Sequence, residues 1–270
     1  MAKRQIFSNK NHDGTLKDKV VFNFAEKFVQ NFLGEVKMST LEKLSLDFNK
    51  LSAARKCGLN IVIAKIENIQ ARYEIDGERD CIKRISGRMK TLESTLEKCS
   101  RKAKEFKKAF VCYDGSPTIE CIDESILDLA GVRIIVYYLD DIQKVCNDLI
   151  ADEDIEVKCI KDYVTNPKGS GYRSLHLIVN VTVNGNKNIP LEERVIPVEI
   201  QIRTSLMDAW ASIEHKLVYK TSHENVSPET KKSLMEMSKK MHEIDEQLVQ
   251  TRDFEEACIK NASCLSSQTS

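Results

Sequence analysis

The sequence predicts an α/β (α+β) fold, in which a mixed β-sheet is flanked by helices. Four segments of strand length, residues 128–138, 155–160, 175–183 and 198–204, are rich in β-branched and other apolar residues. Around and between them, apolar residues recur every three to four positions, the period of an amphipathic helix. The chain has 270 residues, 41% of them hydrophobic, which suffices for one large domain with helical additions.

Residues 1–40 are expected to form an N-terminal extension that is partly disordered at first and then helical. Residues 1–18 are polar and have no apolar period, but later apolar residues follow four-residue steps: Phe24, Phe28, Phe32 and Val36. A second helix is predicted from Thr40 to about Tyr73, with a break at Gly58.

The segment from Lys83 to Lys108 is strongly basic. It holds ten Lys or Arg residues against three Glu, a local charge of +7 in a chain whose 41 basic and 41 acidic residues balance overall. Residues 87–90 have the character of a strand end. The spacing of Ser94 and Glu97 is that of a capping box, which predicts a helix from there to about Lys108. Exposed lysines on a helix usually serve only to keep a protein soluble, so this segment alone identifies no ligand.

The first strong strand carries two charged residues. Asp128 stands at its start, and Arg133 interrupts the apolar run that continues to Tyr138. A charge within a buried strand is costly unless it is paired, so both side chains are expected to serve a polar cleft. A helix over residues 140–151 is predicted to follow this strand.

The most informative stretch is the loop from Lys161 to His176, between two predicted strands. Its Asn-Pro and Gly-Ser-Gly pieces disfavour a helix, and its glycines allow a backbone to approach a ligand closely. Lys168 and Arg173 add further positive charge, and Tyr172 offers an aromatic face on which a base can stack. A solvated surface turn is the alternative interpretation. Two segments that are distant in the sequence, 87–108 and 198–204, favour the ligand interpretation. They too carry positively charged side chains that an anionic ligand would neutralise.

The last predicted strand, residues 198–204, alternates between apolar side chains and the polar set Glu199, Gln201 and Arg203. The alternative is an amphipathic strand that faces water. Helices are predicted over residues 205–220 and after Pro228. In the first of them, His215 is more typical of a helix residue whose hydrogen bonds are satisfied than of a metal ligand. No second histidine stands at the spacing that metal ligands require.

The final helix has apolar residues at heptad spacing, and it either docks on the domain or pairs with another subunit. The residues of this heptad seam are Leu234, Met237, Met241, Ile244 and Leu248. The Ser-rich tail from Asn261 is expected to be disordered.

Composition excludes several classes of protein. Nine cysteines with no CxxC pair, and no secretory signal pattern, predict reduced thiols in the cytoplasm. No apolar run approaches the roughly 20 residues that span a bilayer. The P-loop pattern Gly-x-x-x-x-Gly-Lys-Ser/Thr is absent, which excludes a P-loop kinase.

Side by side, the motifs resemble the synthetase domain of the RelA/SpoT family, and in length the chain is similar to a stand-alone small alarmone synthetase. The resemblance covers about residues 75–220, and its motifs occur in the family's order. They are Gly87-Arg88-Met89-Lys90 with Glu97-Lys98, residues 128–135, the loop 161–176, residues 199–204, and residues 207–216 with Tyr219-Lys220.

The resemblance implies a nucleotidyltransferase-like synthetase domain over residues 41–225, followed by a C-terminal helix and tail over 226–270. It implies transfer of the β,γ-pyrophosphate of ATP to the ribose 3′-hydroxyl of GDP or GTP, which yields AMP and (p)ppGpp, the alarmone of the stringent response. The family's hydrolase domain has no counterpart here, so synthesis without degradation is expected. Such a reaction depends on positioning and charge neutralisation rather than on covalent catalysis.

The resemblance also implies roles for individual residues. Asp128 and Glu199 would hold Mg²⁺, the expected cofactor, and Glu199 would orient or deprotonate the 3′-hydroxyl. The ATP site would use Arg88 and Arg133 on adenine, with Lys90 and Lys98 on phosphates. The guanine-nucleotide site would use Tyr172 on the base, together with Lys161, Lys168, His176 and Gln201.

Two alternatives stay open at this point. A toxin-type relative would pyrophosphorylate the 3′ end of tRNA, with the basic segment binding RNA. A nucleotide- or RNA-binding regulator would bind without turnover, although the presence of both Asp128 and Glu199 disfavours it. ATP and GDP or GTP are the expected substrates, (p)ppGpp or RNA the possible allosteric partners, and a homotetramer the expected assembly.

Overall fold

The structure, a computed structural model, describes residues 38–103, 118–184, 194–219 and 226–267. Its helices are α1 Met38–Ile75, α2 Leu92–Ala103, α3 Ile119–Ser125, α4 Asp141–Ile150, α5 Ser205–Tyr219 and α6 Pro228–Ser267. Its strands are β1 Ile82–Met89, β2 Ala130–Val136, β3 Glu156–Asp162, β4 Leu175–Thr182 and β5 Val195–Thr204. The predictions for residues 1–37 and for the end of the helix near Lys108 lie outside the described residues.

The chain divides into two compact units, and the boundary in the first helix falls after Ser52. The described part of one unit is residues 38–52, 90–103 and 118–126. Its α2 begins at Leu92, earlier than the capping box at Ser94 predicted. Thr91 caps it instead, because the Thr91 hydroxyl accepts a hydrogen bond from the Ser94 backbone N–H at 3.2 Å. Among the described residues of this unit, the buried apolar side chains are Leu44, Phe48, Leu92, Leu96, Cys99, Ile122 and Ile126.

The other unit contains the whole sheet, whose strand order is β1-β2-β5-β4-β3. β2 and β5 are parallel, and the remaining three pairs are antiparallel. The predicted mixed sheet with flanking helices is therefore confirmed.

One face of this sheet carries the hydrophobic core. Val198, Ile200 and Ile202 of β5 point into it, because alternate residues of a strand face opposite sides. The second half of α1 and the apolar side of α4 complete this cluster, with Val62, Ile66 and Tyr73 from α1 and Val145 and Leu149 from α4. The opposite face is left to Glu199, Gln201 and Arg203.

Gly58 does not break α1, contrary to the prediction, because the helix is continuous from Met38 to Ile75. A Cβ at this position would lie 2.4 Å from Cγ2 of Ile196, at the start of β5. The glycine is therefore required for close helix–strand packing, which a pattern based on local helix propensity does not reveal.

The C-terminal helix α6 docks on the domain, but most residues of the heptad seam do not take part in this docking. Leu234 is buried, but Met237, Ile244 and Leu248 are 50%, 46% and 43% exposed. The docking face instead includes the buried polar residues Ser238 and Asp245. The helix also continues to Ser267, so the disorder expected from Asn261 is not what the structure shows. Among the described residues, no helix has the length and apolar character to cross a membrane.

Candidate active site

The polar face of the sheet is built where β4, β5 and β2 lie side by side. In β5, Gln201 is paired with His176 of β4 on one side and with Arg133 of β2 on the other. Glu199 is paired with Gly131 of β2 in the neighbouring row. Residues directly opposite each other point to the same face, so the sheet itself brings these distant residues together.

Five side chains on this face form a closed ring of hydrogen bonds. Glu199 Oε1 lies 3.2 Å from His176 Nδ1, and His176 Nε2 lies 2.8 Å from the Tyr172 hydroxyl. That hydroxyl contacts Arg203 Nη2, which donates to Gln201 Oε1 at 2.9 Å. Gln201 Nε2 donates to Glu199 Oε2 at 2.7 Å and so closes the ring. Each member is therefore held by two others.

Two donors of this ring can be assigned, from its one unambiguous cation and from its carboxylate. Arg203 has only donors, so the Tyr172 oxygen accepts from it. A carboxylate has only acceptors, so His176 Nδ1 carries a proton and donates it to Glu199. The ring thus delivers two hydrogen bonds to the Glu199 carboxylate and leaves one lone pair on each of its oxygens for a ligand.

The surroundings of Glu199 keep it ionised although it is largely buried. Burial by itself raises its pKa, but the hydrogen bond and charge of His176 and the hydrogen bond of Gln201 lower it, while the charge of Asp128 raises it. The net result is a pKa for Glu199 below its usual range. Asp128, which is buried just before β2, is one of the charges that act on Glu199.

A cleft of about 130 Å³ opens beside the ring, where β1 and β2 lie next to β5. Arg88 and Arg133 line it, together with Gln201. Arg88 Nη2 reaches to within 4.0 Å of Glu199 Oε2. Gly131 stands between these two residues in the sheet, and a Cβ there would lie 3.5 Å from Arg88 Nε. The absent side chain leaves the space in which Arg88 lies.

The cleft is bordered by an acid that was not among the predicted site residues. Asp208, in the first turn of α5, forms ion pairs with Arg133 at 3.0 Å, with Arg84 at 3.0 Å and with Arg203 at 3.4 Å. Burial, followed by the charge of Arg203, lowers the pKa of Arg133, and Asp208 opposes this effect. Asp208 is therefore the counterion of a cluster of three guanidinium groups.

The predicted loop places aromatic and cationic groups around the ring of hydrogen bonds. Tyr172 is half-buried and makes edge contacts with Tyr163 and His176, with ring centroids 6.1 and 5.8 Å apart. The ammonium group of Lys168 lies 4.6 Å from the Tyr163 ring centre and 5.0 Å from that of Tyr172. Lys161 is exposed on β3, in register with His176.

The structure thus brings together most of the predicted residues around the polar face of the sheet: Glu199, Arg88, Arg133, His176 and Gln201 on the strands, and Tyr172 from the loop. Asp128 precedes β2, and its charge acts on Glu199. Lys90 and Lys98 belong to the other unit and are half-buried in it. The prediction missed Asp208 and the part played by Arg203. Both lie inside motifs that carried the resemblance, which was the available signal.

The carboxylates suit a hard cation. The described residues contain no group of three or more His, Cys, Asp or Glu that would hold a metal alone. Mg²⁺ is usually bound by one or two carboxylates, with substrate phosphates and water completing its shell. The donor set of Asp128 and Glu199 therefore fits Mg²⁺ presented with a nucleotide.

A mixed sheet whose polar face combines the Glu199 carboxylate with a cluster of arginines suits a domain that binds nucleotide phosphates and transfers phosphoryl groups. Residues 87–224 match the region found in RelA/SpoT proteins. The chain therefore belongs to the RelA/SpoT family.

Two relatives from Bacillus subtilis strain 168 are named GTP pyrophosphokinases. The chain is 34% identical to YwaC over 212 residues, which cover 78% of this chain and 93% of YwaC. It is 37% identical to YjbM over 191 residues, or 70% of this chain and 80% of YjbM.

Solved structures agree with these relatives. The B. subtilis small alarmone synthetase 1 bound to its product pppGpp matches with a TM-score of 0.66 and 32% identity, over 76% of this chain and 96% of that one. A GTP pyrophosphokinase family protein from Streptococcus pneumoniae matches with a TM-score of 0.66 and 29% identity, over 79% of this chain and 96% of that one.

Proposed function

We propose that this chain is a GTP pyrophosphokinase that transfers the β,γ-pyrophosphate of ATP to the ribose 3′-hydroxyl of GDP or GTP, making (p)ppGpp and AMP. One observation carries the proposal: Glu199 is a member of the closed ring of hydrogen bonds, and its bonds to His176 and Gln201 lower its pKa against the effect of its burial. Family membership and the names of its relatives support the same reaction.

Glu199 is the general base of this reaction. One free lone pair on its carboxylate accepts the proton of the 3′-hydroxyl, while His176 and Gln201 hold the group in place. The 3′-oxygen forms a bond to the β-phosphorus of ATP, and the bond from that phosphorus to the α,β-bridging oxygen breaks. AMP leaves with the bridging oxygen, and Glu199 later returns its proton to water.

Asp128 and Glu199 would hold Mg²⁺, which supplies neutralisation of phosphate charge when it is bound. Arg88 and Arg133, which line the cleft, would bind the adenine of ATP. Lys90 and Lys98 are assigned to the ATP phosphates on the strength of the family motif alone.

The acceptor nucleotide is assigned to the side of the ring on which Tyr172 and the loop lie. Tyr172 would stack on guanine, and Lys161 and Lys168 would meet the acceptor phosphates. Both ring nitrogens of His176 are engaged by Tyr172 and Glu199. We therefore assign His176 first to the orientation of Glu199 and second to the acceptor ribose or phosphates.

The purified chain should release AMP from ATP and Mg²⁺ only when a guanine nucleotide is present. GDP, GTP, GMP and deacylated tRNA should be offered separately and then in competition, with label in the β,γ-phosphates of ATP. Label in guanosine products is expected. Label in tRNA alone would instead indicate the toxin-type reaction, and nucleotide binding without AMP release would indicate a regulator. The names of the relatives favour the nucleotide acceptor.

The remaining assignments belong to the same proposal. The synthetase domain would extend over residues 41–225, and the protein would act in the cytoplasm, with (p)ppGpp or RNA as possible allosteric ligands. We propose a homotetramer that uses the exposed seam residues Met237, Ile244 and Leu248. Ile244→Glu with Leu248→Glu should lower the mass in solution. Deleting α6 would be a poorer test, because its Leu234 carbonyl accepts the Trp210 indole N–H at 2.9 Å.

A further inference from the structure

Asp208 occupies a position where three strands of the sheet meet the start of α5. Its Oδ1 lies 3.0 Å from Arg133 Nη1 and 3.4 Å from Arg203 Nη1, and its Oδ2 lies 3.0 Å from Arg84 Nη2. The carboxylate is 13% exposed, and the Arg203 side chain is 4% exposed. One nearly buried acid therefore contacts arginines from β1, β2 and β5.

The charges in this cluster do not balance locally. Three guanidinium groups share one carboxylate, and burial, followed by the charge of Arg203, lowers the pKa of Arg133. Guanidinium groups held this close repel one another, and a buried charge that loses its counterion is strongly destabilised. Removal of the Asp208 charge should therefore drive Arg133 and Arg203 apart without removing any side chain that lines the cleft.

Two of the three arginines that Asp208 contacts belong to different parts of the site. Arg133 lines the cleft together with Arg88. Arg203 contacts the Tyr172 hydroxyl and donates to Gln201, so it belongs to the ring around Glu199. Moving Asp208 would therefore shift Arg133 in the cleft and Arg203 in the ring of hydrogen bonds at the same time.

We infer that Asp208 is a positioning residue whose negative charge fixes Arg133 on the ATP side and Arg203 on the acceptor side. The assignment of the two sides rests on the proposed function. Asp208 needs no contact with either nucleotide in this role, because it acts through the two arginines.

Charge and shape can be separated by two substitutions. Asp208→Asn keeps the shape and removes the charge, and Asp208→Glu keeps the charge and lengthens the side chain. Equilibrium binding of a non-hydrolysable ATP analogue and of GDP should be measured separately for both variants. A matched control is Asp148→Asn, because Asp148 also pairs with an arginine and a lysine, Arg72 at 2.9 Å and Lys144 at 3.8 Å, away from the site.

We expect Asp208→Asn to weaken both affinities by about tenfold or more, a size typical of losing a counterion at a binding site. Asp208→Glu should keep both within about threefold of wild type, and Asp148→Asn should change neither. A larger loss in Asp208→Glu than in Asp208→Asn would show a packing role and overturn the inference. A loss confined to one nucleotide would also overturn it.

If Asp208→Asn fails to fold, the melting temperature will reveal this, and Asp208→Glu still decides. Loss of either affinity by tenfold in a folded Asp208→Glu protein would contradict a role that depends on charge. AMP release by the wild-type chain is measured in parallel. Its failure would remove the proposed function, whereas normal release with unchanged binding in Asp208→Asn would remove only this inference.

Discussion

His176 Nδ1 and Glu199 Oε1 lie 3.2 Å apart, although the two residues are 23 positions apart in the chain. They belong to neighbouring antiparallel strands but are not directly opposite, since His176 pairs with Gln201 and Glu199 with Ile178. The contact is therefore diagonal across the strand pair, where a long side chain can still reach. This bond is a principal reason why the pKa of Glu199 is lowered in spite of its burial.

The first prediction concerns His176→Ala. Without the imidazole, burial and Asp128 should dominate and raise the pKa of Glu199. Because Glu199 must be ionised to act as a base, activity falls as pH drops through its pKa. The acidic limb of kcat/KM against pH should therefore move to higher pH. His215→Ala, on the exposed side of α5, should leave the profile unchanged. An unmoved acidic limb in His176→Ala would refute the role assigned to this hydrogen bond.

The second prediction separates the two parts of Tyr172. Tyr172→Phe removes the hydroxyl that links Arg203 to His176 but keeps the ring for stacking. We expect kcat to fall by about tenfold or more, because buried partners are left unsatisfied beside the base. GDP affinity should change by less than about threefold, whereas Tyr172→Ala should weaken it clearly.

Tyr137→Phe is the control for Tyr172→Phe, since Tyr137 is exposed and lies outside the ring. Equal losses of GDP affinity in the Phe and Ala variants would show that the Tyr172 ring does not stack on guanine.

The third prediction concerns the backbone that presents Tyr172. Gly171 has φ of +93°, and a Cβ there would lie 2.9 Å from Ser238 Cβ and 3.2 Å from Met235 Cα of α6. Gly171→Ala should therefore cost about 1–3 kcal/mol of unfolding free energy and reduce GDP affinity. Gly169→Ala, with nothing within 4 Å of its added Cβ, should remain within about 0.5 kcal/mol of wild type in chemical denaturation. Equal stability of the two variants would mean that α6 does not hold this loop.

The fourth prediction concerns Asp245, which fixes α6 to the end of β5. Its carboxylate accepts the Thr204 hydroxyl at 2.7 Å, and burial raises its pKa to about 6 against that hydrogen bond. The folded state then binds this proton more tightly than the unfolded chain, so the group's contribution to stability rises as pH falls from about 6 to 4. Asp245→Asn keeps an acceptor for Thr204 and cannot titrate.

Asp245→Asn should therefore exceed wild type in unfolding free energy by about 2–3 kcal/mol at pH 8, and this advantage should fall to about 1 kcal/mol at pH 4.5 and towards zero below about pH 4. His242 and Arg173 line the same cavity, and burial followed by the Arg173 charge lowers the pKa of His242. Both are present in the two proteins, so their effects cancel in the difference. An advantage of the same size at both pH values would contradict the raised pKa of Asp245.

Much of the sheet was predictable because its signals are local. The alternation of Val198, Ile200 and Ile202 with polar residues is enough to place β5 and its polar face. The placement of Arg133 and Gly131 beside Gln201 and Glu199 could not be predicted in this way, since the parallel pairing of β2 with β5 is a long-range contact. A period in the sequence specifies a face but not the partner strand.

Other features depend on tertiary partners and could not be read from spacing. In the sequence, Asp208 is one acidic residue of a predicted helix. Its role becomes visible only in the fold, where arginines from three strands lie beside it. Ser238 and Asp245 were overlooked on α6 because the heptad pattern counts apolar residues only, whereas the Gly171 carbonyl and the Thr204 hydroxyl bind these two polar groups. Gly58 was misread for the same reason, because its packing against Ile196 decides its role.

The measurement that tests the central claim most directly is the single-turnover rate of ppGpp formation from GDP and ATP, compared between the wild type and Glu199→Gln at saturating nucleotides. The amide keeps the size of Glu199 but cannot accept the proton, so the rate should fall by about 10²–10⁴-fold while GDP affinity stays within a few fold. A Glu199→Gln protein that forms ppGpp at nearly the wild-type rate would contradict the account.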